Sequence, residues 1–416
     1  MRADPSTSLY TSLSVFLLGA IALVVPSGYS IGAVLLLLGG IYSCFTRVSL
    51  SWQRQDYAVL GVLMAFGAVW IVSVLIHGGS SSNYDKPIRF ILACLGFVLI
   101  VKYPPRLTWL WLGLGIGAIA ACIWSGYQKF FLDIQRAGGY TNAIQYGNLA
   151  MLMGVWCVAG LGWAHTQTHC RRWQLLLVVG ALCGVLASLL SGSRGGWIGL
   201  PVVLWVLYRA YGRMLAPRIK LALAALILAS GAIVLATPQL HVAERLHLAV
   251  SDVDQYFNHQ NAHTSVGARF AMWHGATQLY LAKPVFGWGE RGYQPAMAQL
   301  VDEGKADPII REFGHPHNEI LNVASKHGTI GLIALLLLWG VPLKLFAAGL
   351  RSADLTVRAL ATAGILLPVT YIDYGLSQAF LSHNSGVMMY AFWLVVWWGC
   401  YRRYAQSAAT ANPVTT

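Results

Sequence analysis

The chain has 416 residues, of which 57% are hydrophobic and only 10% charged, and its mean hydropathy is +0.59. Soluble domains carry about half apolar and about a quarter charged residues, so this composition excludes a soluble globular fold and indicates a membrane protein. The formal net charge of +13 would favour nucleic-acid binding only if the basic residues shared one face of a soluble domain.

Apolar runs long enough to cross a membrane, roughly 20 residues for a ~30 Å hydrocarbon core, recur along the chain. We therefore expect an all-α integral membrane protein with about twelve transmembrane helices. The first run has no A-x-A-like cleavage site after it and is expected to remain as a span. The predicted spans are 10–26, 29–46, 57–77, 90–103, 107–126, 147–164, 173–190, 195–211, 219–237, 318–343, 357–380 and 385–401.

These spans divide the chain into four regions. Transmembrane helices one to nine fall in 1–237, a large loop in 238–317, helices ten to twelve in 318–401 and a tail in 402–416. No internal repeat is visible. The seven cysteines all lie in spans or on the predicted cytoplasmic side, so no disulfide framework is expected.

Basic residues are divided unevenly between alternate loops. With a cytoplasmic N-terminus, the cytoplasmic segments hold sixteen of the 28 lysines and arginines and three of the fifteen acidic residues, and the other side holds twelve of each. The positive-inside rule therefore predicts that both termini are cytoplasmic. The excess of positive charge is therefore explained by the orientation of the protein in the membrane. It no longer supports a nucleic-acid partner.

The large loop has eighty residues on the predicted outer side, and insertions of that length are usually functional. The stretch ERLHLAVSDVDQYF places Leu246, Val250, Val253 and Phe257 on one face of an amphipathic helix. VGARFAMWHGATQLYLA predicts a second helix. KPVFGWGERGY ends it, because proline and glycine force turns.

Three polar stretches stand out on the outer side. SGSRGGWIGL surrounds Arg194 with glycines that let backbone approach a bound group, although a snorkelling arginine fits as well. SVGARFAMWHGA puts Arg269 on the second loop helix with Trp273 one turn later, where stacking or lipid phosphate is the alternative. FGHPHNEIL places His315 and His317 at the start of the tenth span, where interfacial histidines are the alternative.

Three further ionisable residues lie inside spans. Asp373 is a couple of turns below the outer end of the eleventh span, and ionisable groups at such depth are costly and usually paired. We expect an arginine or histidine of the outer side as its partner. Lys326 and His327 follow the HPH stretch by two to three turns, and they face either a polar cavity or a neighbouring helix.

Two arginines and a His-x-His pair restrict the chemistry. A metal site would need a third protein ligand, and a glycosidase would need a pair of carboxylates. Arginine's planar fork suits phosphate oxygens, and histidine can take the proton of an incoming hydroxyl. The pattern favours transfer from a diphosphate-linked donor to an alcohol, with no metal or other cofactor.

The order of these motifs resembles the O-antigen ligase and polymerase superfamily of bacterial inner membranes, and HPHNE and the chain length are most similar to the ligases. The resemblance implies a GT-C-like, metal-independent, inverting glycosyltransferase in a membrane of lipids. It would move O-antigen polysaccharide from undecaprenyl diphosphate to a sugar hydroxyl of the lipid A-core oligosaccharide on the periplasmic side.

The resemblance also implies roles for individual residues. Arg194 and Arg269 would bind the diphosphate, and His317 would be the base. Asn318, which follows His317, would also bind the substrate, and Trp273 and Asp373 would support the site. His315 would assist it or position the acceptor.

The candidate with the weakest motif is Arg291, which follows the glycine turn and would contact the acceptor's phosphates. Three alternatives stay open: a polymerase that joins one lipid-linked glycan to another, an oligosaccharyltransferase that modifies proteins, and a transporter of lipid-linked glycans. The short tail argues against the second, and the lack of an internal repeat argues against the third.

Overall fold

In the computed structural model of the chain, the structure describes residues 5–46, 50–193, 195–218, 220–221, 225, 229, 242–259 and 262–411. All regular structure in these ranges is helical, which confirms the all-α prediction. The described α-helices are α1 Pro5–Ala20, α2 Gly28–Phe45, α3 Arg54–His77, α4 Asp85–Lys102, α5 Leu107–Phe130, α6 Ala143–His165, α7 Cys170–Leu190, α8 Leu200–Tyr211, α9 Val242–His259, α10 Ser265–Ala282, α11 Gly289–Asp302, α12 Glu319–Ala347, α13 Leu355–Gly375 and α14 Asn384–Ala411.

Seven of these helices, α2, α3, α5, α6, α7, α12 and α13, are long and apolar enough to cross a membrane. The chain is therefore a multi-pass membrane protein. The total of twelve spans stays a prediction, because most of the predicted span 219–237 lies outside the described residues.

The eighth predicted span differs from the structure. It was expected over 195–211, but α8 begins only at Leu200 and has 12 residues, or about 18 Å at 1.5 Å per residue. The preceding glycines form a 3-10 turn over Gly195–Trp197 instead. Pro201 in the first turn of α8 favours a helix start there. As an α-helix, α8 is shorter than a hydrocarbon core of ~30 Å.

Both helices predicted in the large loop are present as α9 and α10. A third helix, α11, begins within the stretch that was expected to form only turns. The loop has a hydrophobic core of its own, separate from the core of the bundle. It is formed by Ala262, Ala268, Ala271, Met272, Ala276, Leu279, Tyr293, Ala296, Met297 and Ile310.

The most enclosed helices of the bundle are α6 and α14. Trp156 of α6 packs against Trp393 and Trp397 of α14, with ring centroids 4.9 and 5.4 Å apart. Because aromatic pairs of this kind bury large apolar areas, they hold α6 and α14 together at the centre of the helical bundle. In the first turn of α6, Gln145 Nε2 donates to the Phe380 carbonyl of the α13–α14 turn, residues 376–383, and Gln145 Oε1 accepts a hydrogen bond from Ser385 in the first turn of α14.

Helix ends meet at two opposite ends of the bundle. At one, which we call the Asp56 end, the start of α3 meets the second half of α14 through Asp56 and Arg402. At the other, the His317 end, the start of α12 meets the α13–α14 turn, where Glu319 Oε2 accepts a hydrogen bond from the Leu381 backbone at 2.6 Å.

Candidate active site at the His317 end

The HPH segment enters α12 through an unusual backbone conformation. His317 has a φ of 50°, in the left-handed region that few residues other than glycine adopt. Asn318 then caps the helix, its Oδ1 accepting a hydrogen bond from the Leu321 backbone at 3.0 Å. Trp273 of α10 holds the segment from the loop side by donating from Nε1 to the Pro316 carbonyl at 2.9 Å. Backbone strain of this kind clusters at functional sites.

Three imidazoles lie side by side at this end, and we call them the histidine row: His315, His317 and His383. The ring centroids of His315 and His317 are 4.4 Å apart, and those of His315 and His383 are 6.1 Å apart. The His317 backbone N–H also donates to His315 Nδ1 at 3.3 Å. His383 ends the α13–α14 turn, so the row is assembled from two distant parts of the chain.

All three histidines have a lowered pKa. Burial is the main cause in each case. For His315 the neighbouring charges of His317, Lys326 and His383 add to it and the pKa falls to about 3. For His383, Lys86 and His317 add to it and the pKa falls to about 4. The row is therefore neutral near pH 7, and neutral imidazole is the form that accepts a proton.

The pKa of His317 responds to its two neighbours in opposite directions. Burial lowers it, the side chain of Gln378 raises it, and the charge of Arg269 lowers it. His317 Nδ1 and Gln378 Oε1 are both buried and have no hydrogen-bond partner among the described residues. An anion bound beside the row would raise the pKa of these imidazoles and would make them stronger proton acceptors.

Polar side chains hold His383 from both sides. Its Nε2 lies 3.3 Å from Gln378 Nε2, and its Nδ1 lies 3.4 Å from Asn142 Nδ2. Asn142 is itself fixed as the cap of α6, because its Oδ1 accepts a hydrogen bond from the Gln145 backbone at 2.8 Å. The position of His383 is thus set by α6 and by the α13–α14 turn.

Arg269 lies on α10, on the loop side of the row. Its guanidinium is half-buried and burial lowers its pKa, yet a guanidinium stays charged near pH 7. None of the ion pairs among the described residues includes Arg269. The structure thus brings Arg269, His315 and His317 together, and no carboxylate in the described part of the chain pairs with this cation.

Arg194 lies outside the described residues, so its predicted site position is not described. The residues that flank it border the site. Ser193 is buried, and its Oγ lies 3.5 Å from Asn148 Oδ1 on α6. A Cβ on Gly195 would come within 2.2 Å of Ser377 Oγ, so this backbone packs directly on the α13–α14 turn.

Asp373 is paired differently from the prediction. We expected an arginine or histidine as its partner. In the described residues its Oδ1 accepts a hydrogen bond from the Gly199 backbone N–H at 2.6 Å, and its buried Oδ2 has no partner. A Cβ on Gly199 would lie 2.5 Å from the Asp373 carboxyl carbon, so only glycine permits this close contact.

Lys326 and His327 face the interior rather than a cavity shared with the row. Lys326 Nζ lies 2.9 Å from Glu290 Oε2 at the start of α11, and its side chain is 4% exposed. Burial would raise the pKa of Glu290, but Lys326, with help from His327, lowers it to about 2. His327 packs on the Trp70 ring. The partner of Lys326 that the sequence left open is therefore Glu290.

The helix itself is interrupted beside this ion pair. Gly328 has a φ of 65° and a ψ of −162°, which breaks the helical path of α12. The chain between α10 and α11 packs into the break: the Trp288 backbone donates to the Ser325 carbonyl at 3.0 Å, and Thr329 donates to Pro284 at 2.7 Å. The large loop is thus joined to α12 at the level of Lys326.

Two more cations, Lys86 and Arg291, differ in their distance from the histidine row. The charge of Lys86, at the start of α4, contributes to the lowered pKa values of both His383 and Glu290, so Lys86 lies near the row. Arg291 is exposed on α11, and no described contact links it to the histidines. Sequence reasoning identified Arg291 and missed Lys86.

His383, Gln378 and Asn142 were also missed. A histidine in SHNSG at the start of the last span carries the same signal as the HPH stretch, a titratable group at the mouth of an apolar run, and could have been selected by it. Gln378 and Asn142 have no such signal. Among the described residues, no group of three or more His, Cys, Asp or Glu side chains is arranged to hold a metal ion.

Comparisons with known proteins point to one family. Residues 179–336 match the family described as O-antigen ligase. The chain is 29% identical over 370 residues to an uncharacterised protein of Haemophilus influenzae, which covers 88% of this chain and 92% of that protein. It is 28% identical over 249 residues to the O-antigen ligase of Escherichia coli K12. This alignment covers 58% of this chain and 57% of that protein. The range matched to the family ends before Gln378 and His383.

Proposed function

Because the chain belongs to the O-antigen ligase superfamily, we propose that it is a glycosyltransferase that moves O-antigen polysaccharide from undecaprenyl diphosphate to a sugar hydroxyl of the lipid A-core oligosaccharide. The observation that carries the proposal is the histidine row beside Arg269. Neutral imidazoles can take a proton, and an unpaired guanidinium can bind phosphate oxygens. The combination suits a diphosphate leaving group.

The reaction would proceed as a single displacement. His317 removes the proton of the acceptor hydroxyl as its oxygen attacks the anomeric carbon. The bond from that carbon to the diphosphate oxygen breaks, and the electron pair leaves with undecaprenyl diphosphate. Attack opposite the leaving group inverts the anomeric centre. Arg269, and by the resemblance Arg194, would neutralise the growing charge on the diphosphate.

Other residues would support this step. The His317 backbone donates to His315 Nδ1, which leaves His315 Nε2 free to position the acceptor. Trp273 and Asn318 fix the backbone on either side of His317. Asp373 would hold the backbone beside Arg194 through Gly199. These are positioning roles.

The proposed place of the reaction is the periplasmic side of the bacterial inner membrane, with both termini in the cytoplasm. The support is the charge distribution: the segments that would be cytoplasmic carry sixteen basic and three acidic residues, as the positive-inside rule requires. The His317 end lies on the opposite side by that count, where both lipid-linked substrates would be met.

The test is a reconstituted assay with the purified protein, a lipid-linked O-antigen donor and lipid A-core, with and without the acceptor. Transfer of polysaccharide to lipid A-core supports the proposal, and EDTA should leave the rate unchanged. Lengthening of the donor glycan would indicate a polymerase instead. Failure of both, with movement of the donor across vesicles, would indicate a transporter.

A further inference from the structure

A groove with a volume of about 290 Å³ lies between α2, α4 and α14. Its walls are apolar side chains from the three helices, including Ala33, Leu37, Leu92, Met388 and Phe392. It begins at the His317 end, since Ser30 and Asp85 belong to the first turns of α2 and α4, and Met388 is the fifth residue of α14. Along α2 it extends from Ser30 to Leu37, or about 10 Å at 1.5 Å per residue.

Arg89 lies at the polar end of this groove. Its Nη2 donates to Asp85 Oδ2 at 2.5 Å one turn earlier, and its side chain is 18% exposed. Its Nη1 is buried and has no hydrogen-bond partner among the described residues. A buried N–H of a charged group that lacks an acceptor is costly, so this end of the groove favours a ligand that brings an anionic oxygen.

The groove also adjoins the histidine row. Lys86 is in the same helical turn as Arg89, and its charge contributes to the lowered pKa of His383. Met388, in the wall, follows His383 by five residues at the start of α14. A chain lying in the groove would therefore end near the row, at the end of α4 that carries Lys86 and Arg89.

We propose that this groove binds the first isoprene units of the donor's polyprenyl chain, with Arg89 Nη1 on an oxygen of the attached diphosphate. The inference rests on the proposed function. In a polyprenyl diphosphate sugar, the hydrocarbon chain is bonded directly to the group that leaves. The acceptor hydroxyl of lipid A-core is separated from its acyl chains by sugars. Only the donor therefore requires a hydrocarbon groove next to the base.

The experiment measures binding without any sugar or acceptor. Purified protein in nanodiscs of neutral phosphatidylcholine is titrated with inorganic diphosphate, geranyl diphosphate and farnesyl diphosphate. Because burying two methylenes already raises affinity about tenfold, farnesyl diphosphate should bind at least about tenfold more tightly than inorganic diphosphate. Equal affinities would overturn the proposal.

Two substitutions on α2 locate the chain. Val34→Trp fills the groove from its partly lipid-exposed wall and should remove the preference for prenylated ligands while leaving inorganic diphosphate binding unchanged. Ile31→Trp is the matched control, because Ile31 is similarly exposed, at 40% against 46%, and points about 60° away from Val34 around the helix. A photoreactive farnesyl diphosphate should label α2, α4 or α14, which tests the proposal even if Val34→Trp does not fold.

The outcomes separate this proposal from the proposed function. Val34→Trp with an intact prenyl preference, or labelling of other helices only, would overturn the groove even if polysaccharide transfer occurs. Phosphatidylglycerol that displaces farnesyl diphosphate at equal concentration would make it a phospholipid site instead. Groove-dependent prenyl binding without transfer to lipid A-core would leave the groove standing and overturn the ligase assignment alone.

Discussion

The two ends of the bundle treat their buried polar groups in opposite ways. At the Asp56 end, the fully buried Asp56 accepts hydrogen bonds from Arg402 Nη1 at 2.5 Å, Trp398 Nε1 at 2.8 Å and the Gln53 backbone at 2.8 Å. Arg402 donates in addition to the Ser51 carbonyl at 2.6 Å. Both charges are compensated, and neither side chain has an atom among the buried polar atoms that lack a partner in the described residues.

At the His317 end, several buried polar atoms lack partners. Among the described residues these include His317 Nδ1, Gln378 Oε1, Asp373 Oδ2, Asn322 Oδ1 and Ser377 Oγ. Native proteins leave few such atoms unpaired, because each one costs about 1 to 3 kcal/mol.

This difference between the two ends indicates that their buried polar groups have different roles. The ion pair at the Asp56 end joins α3 to α14, whereas we propose that the unpaired polar groups at the His317 end are kept at a cost to stability because they bind the substrate. Substitutions at the His317 end should therefore change mainly turnover, and substitutions at the Asp56 end should change mainly the free energy of unfolding.

The largest effect is expected for His317→Ala. Loss of a general base typically lowers the rate by about 10²- to 10⁴-fold. The free energy of unfolding should change little, because His317 Nδ1 has no hydrogen-bond partner to lose among the described residues. Turnover in the reconstituted assay and denaturation in detergent measure the two quantities. The control is His274→Ala, an exposed histidine on α10, which should leave turnover intact. Half-normal turnover of His317→Ala would remove that residue from the mechanism.

Arg402→Ala should produce the opposite pattern. It leaves the Asp56 carboxylate buried without its cation, and breaking a buried pair in this way costs about 3 to 5 kcal/mol. Chemical denaturation should show this loss, while turnover per folded molecule should stay within twofold. Asp56→Asn combined with Arg402→Met should recover most of the stability, since no charge is then left unpaired. A stable Arg402→Ala protein with lost turnover would contradict the comparison.

Arg269→Lys tests whether the His317 end binds a diphosphate through a guanidinium. A lysine keeps the charge but not the planar pair of donors, and hydrogen bonds to charged groups contribute about 1.5 to 3 kcal/mol, so kcat/KM should fall roughly tenfold to a hundredfold. Arg311→Lys is the control, because Arg311 is exposed and paired with Asp302 in the same loop. Unchanged kcat/KM for Arg269→Lys would mean that the guanidinium of Arg269 does not bind the diphosphate.

The sequence predicted those parts of the molecule that are encoded locally. Apolar runs gave most of the long helices, and a polar cluster at the mouth of one run gave His315 and His317. The short α8 was not predicted, because hydropathy does not register that Gly195 and Pro201 move the helix start. At this position the turn-forming residues determined where the helix begins, although the apolar content of the segment predicted an earlier start.

Contacts between distant segments could not be predicted in the same way. His383 joins the row across 66 residues from His317 only because Asn142 and Gln378 hold it. Lys326 pairs with Glu290 because the helix breaks at Gly328 and admits the loop. Asp373 reaches a backbone N–H instead of the expected side chain because Gly199 lacks a Cβ. Each of these depends on packing that no local pattern specifies.

The smallest effect is a shift of the pH profile. His317 must be neutral to accept a proton, and its pKa is lowered from its usual 6.5, mainly by burial. The acid limb of kcat/KM, which reports the free enzyme, should therefore lie below pH 6.5. A bound diphosphate raises the pKa of the row, so the limb of kcat should lie at a higher pH than that of kcat/KM. Lys102→Met at the Asp56 end, where Lys102 Nζ donates to the Ser43 carbonyl at 2.5 Å, should move neither limb. Coincident limbs, or a kcat/KM limb above pH 6.5, would mean that the proton acceptor is not a buried imidazole next to the diphosphate.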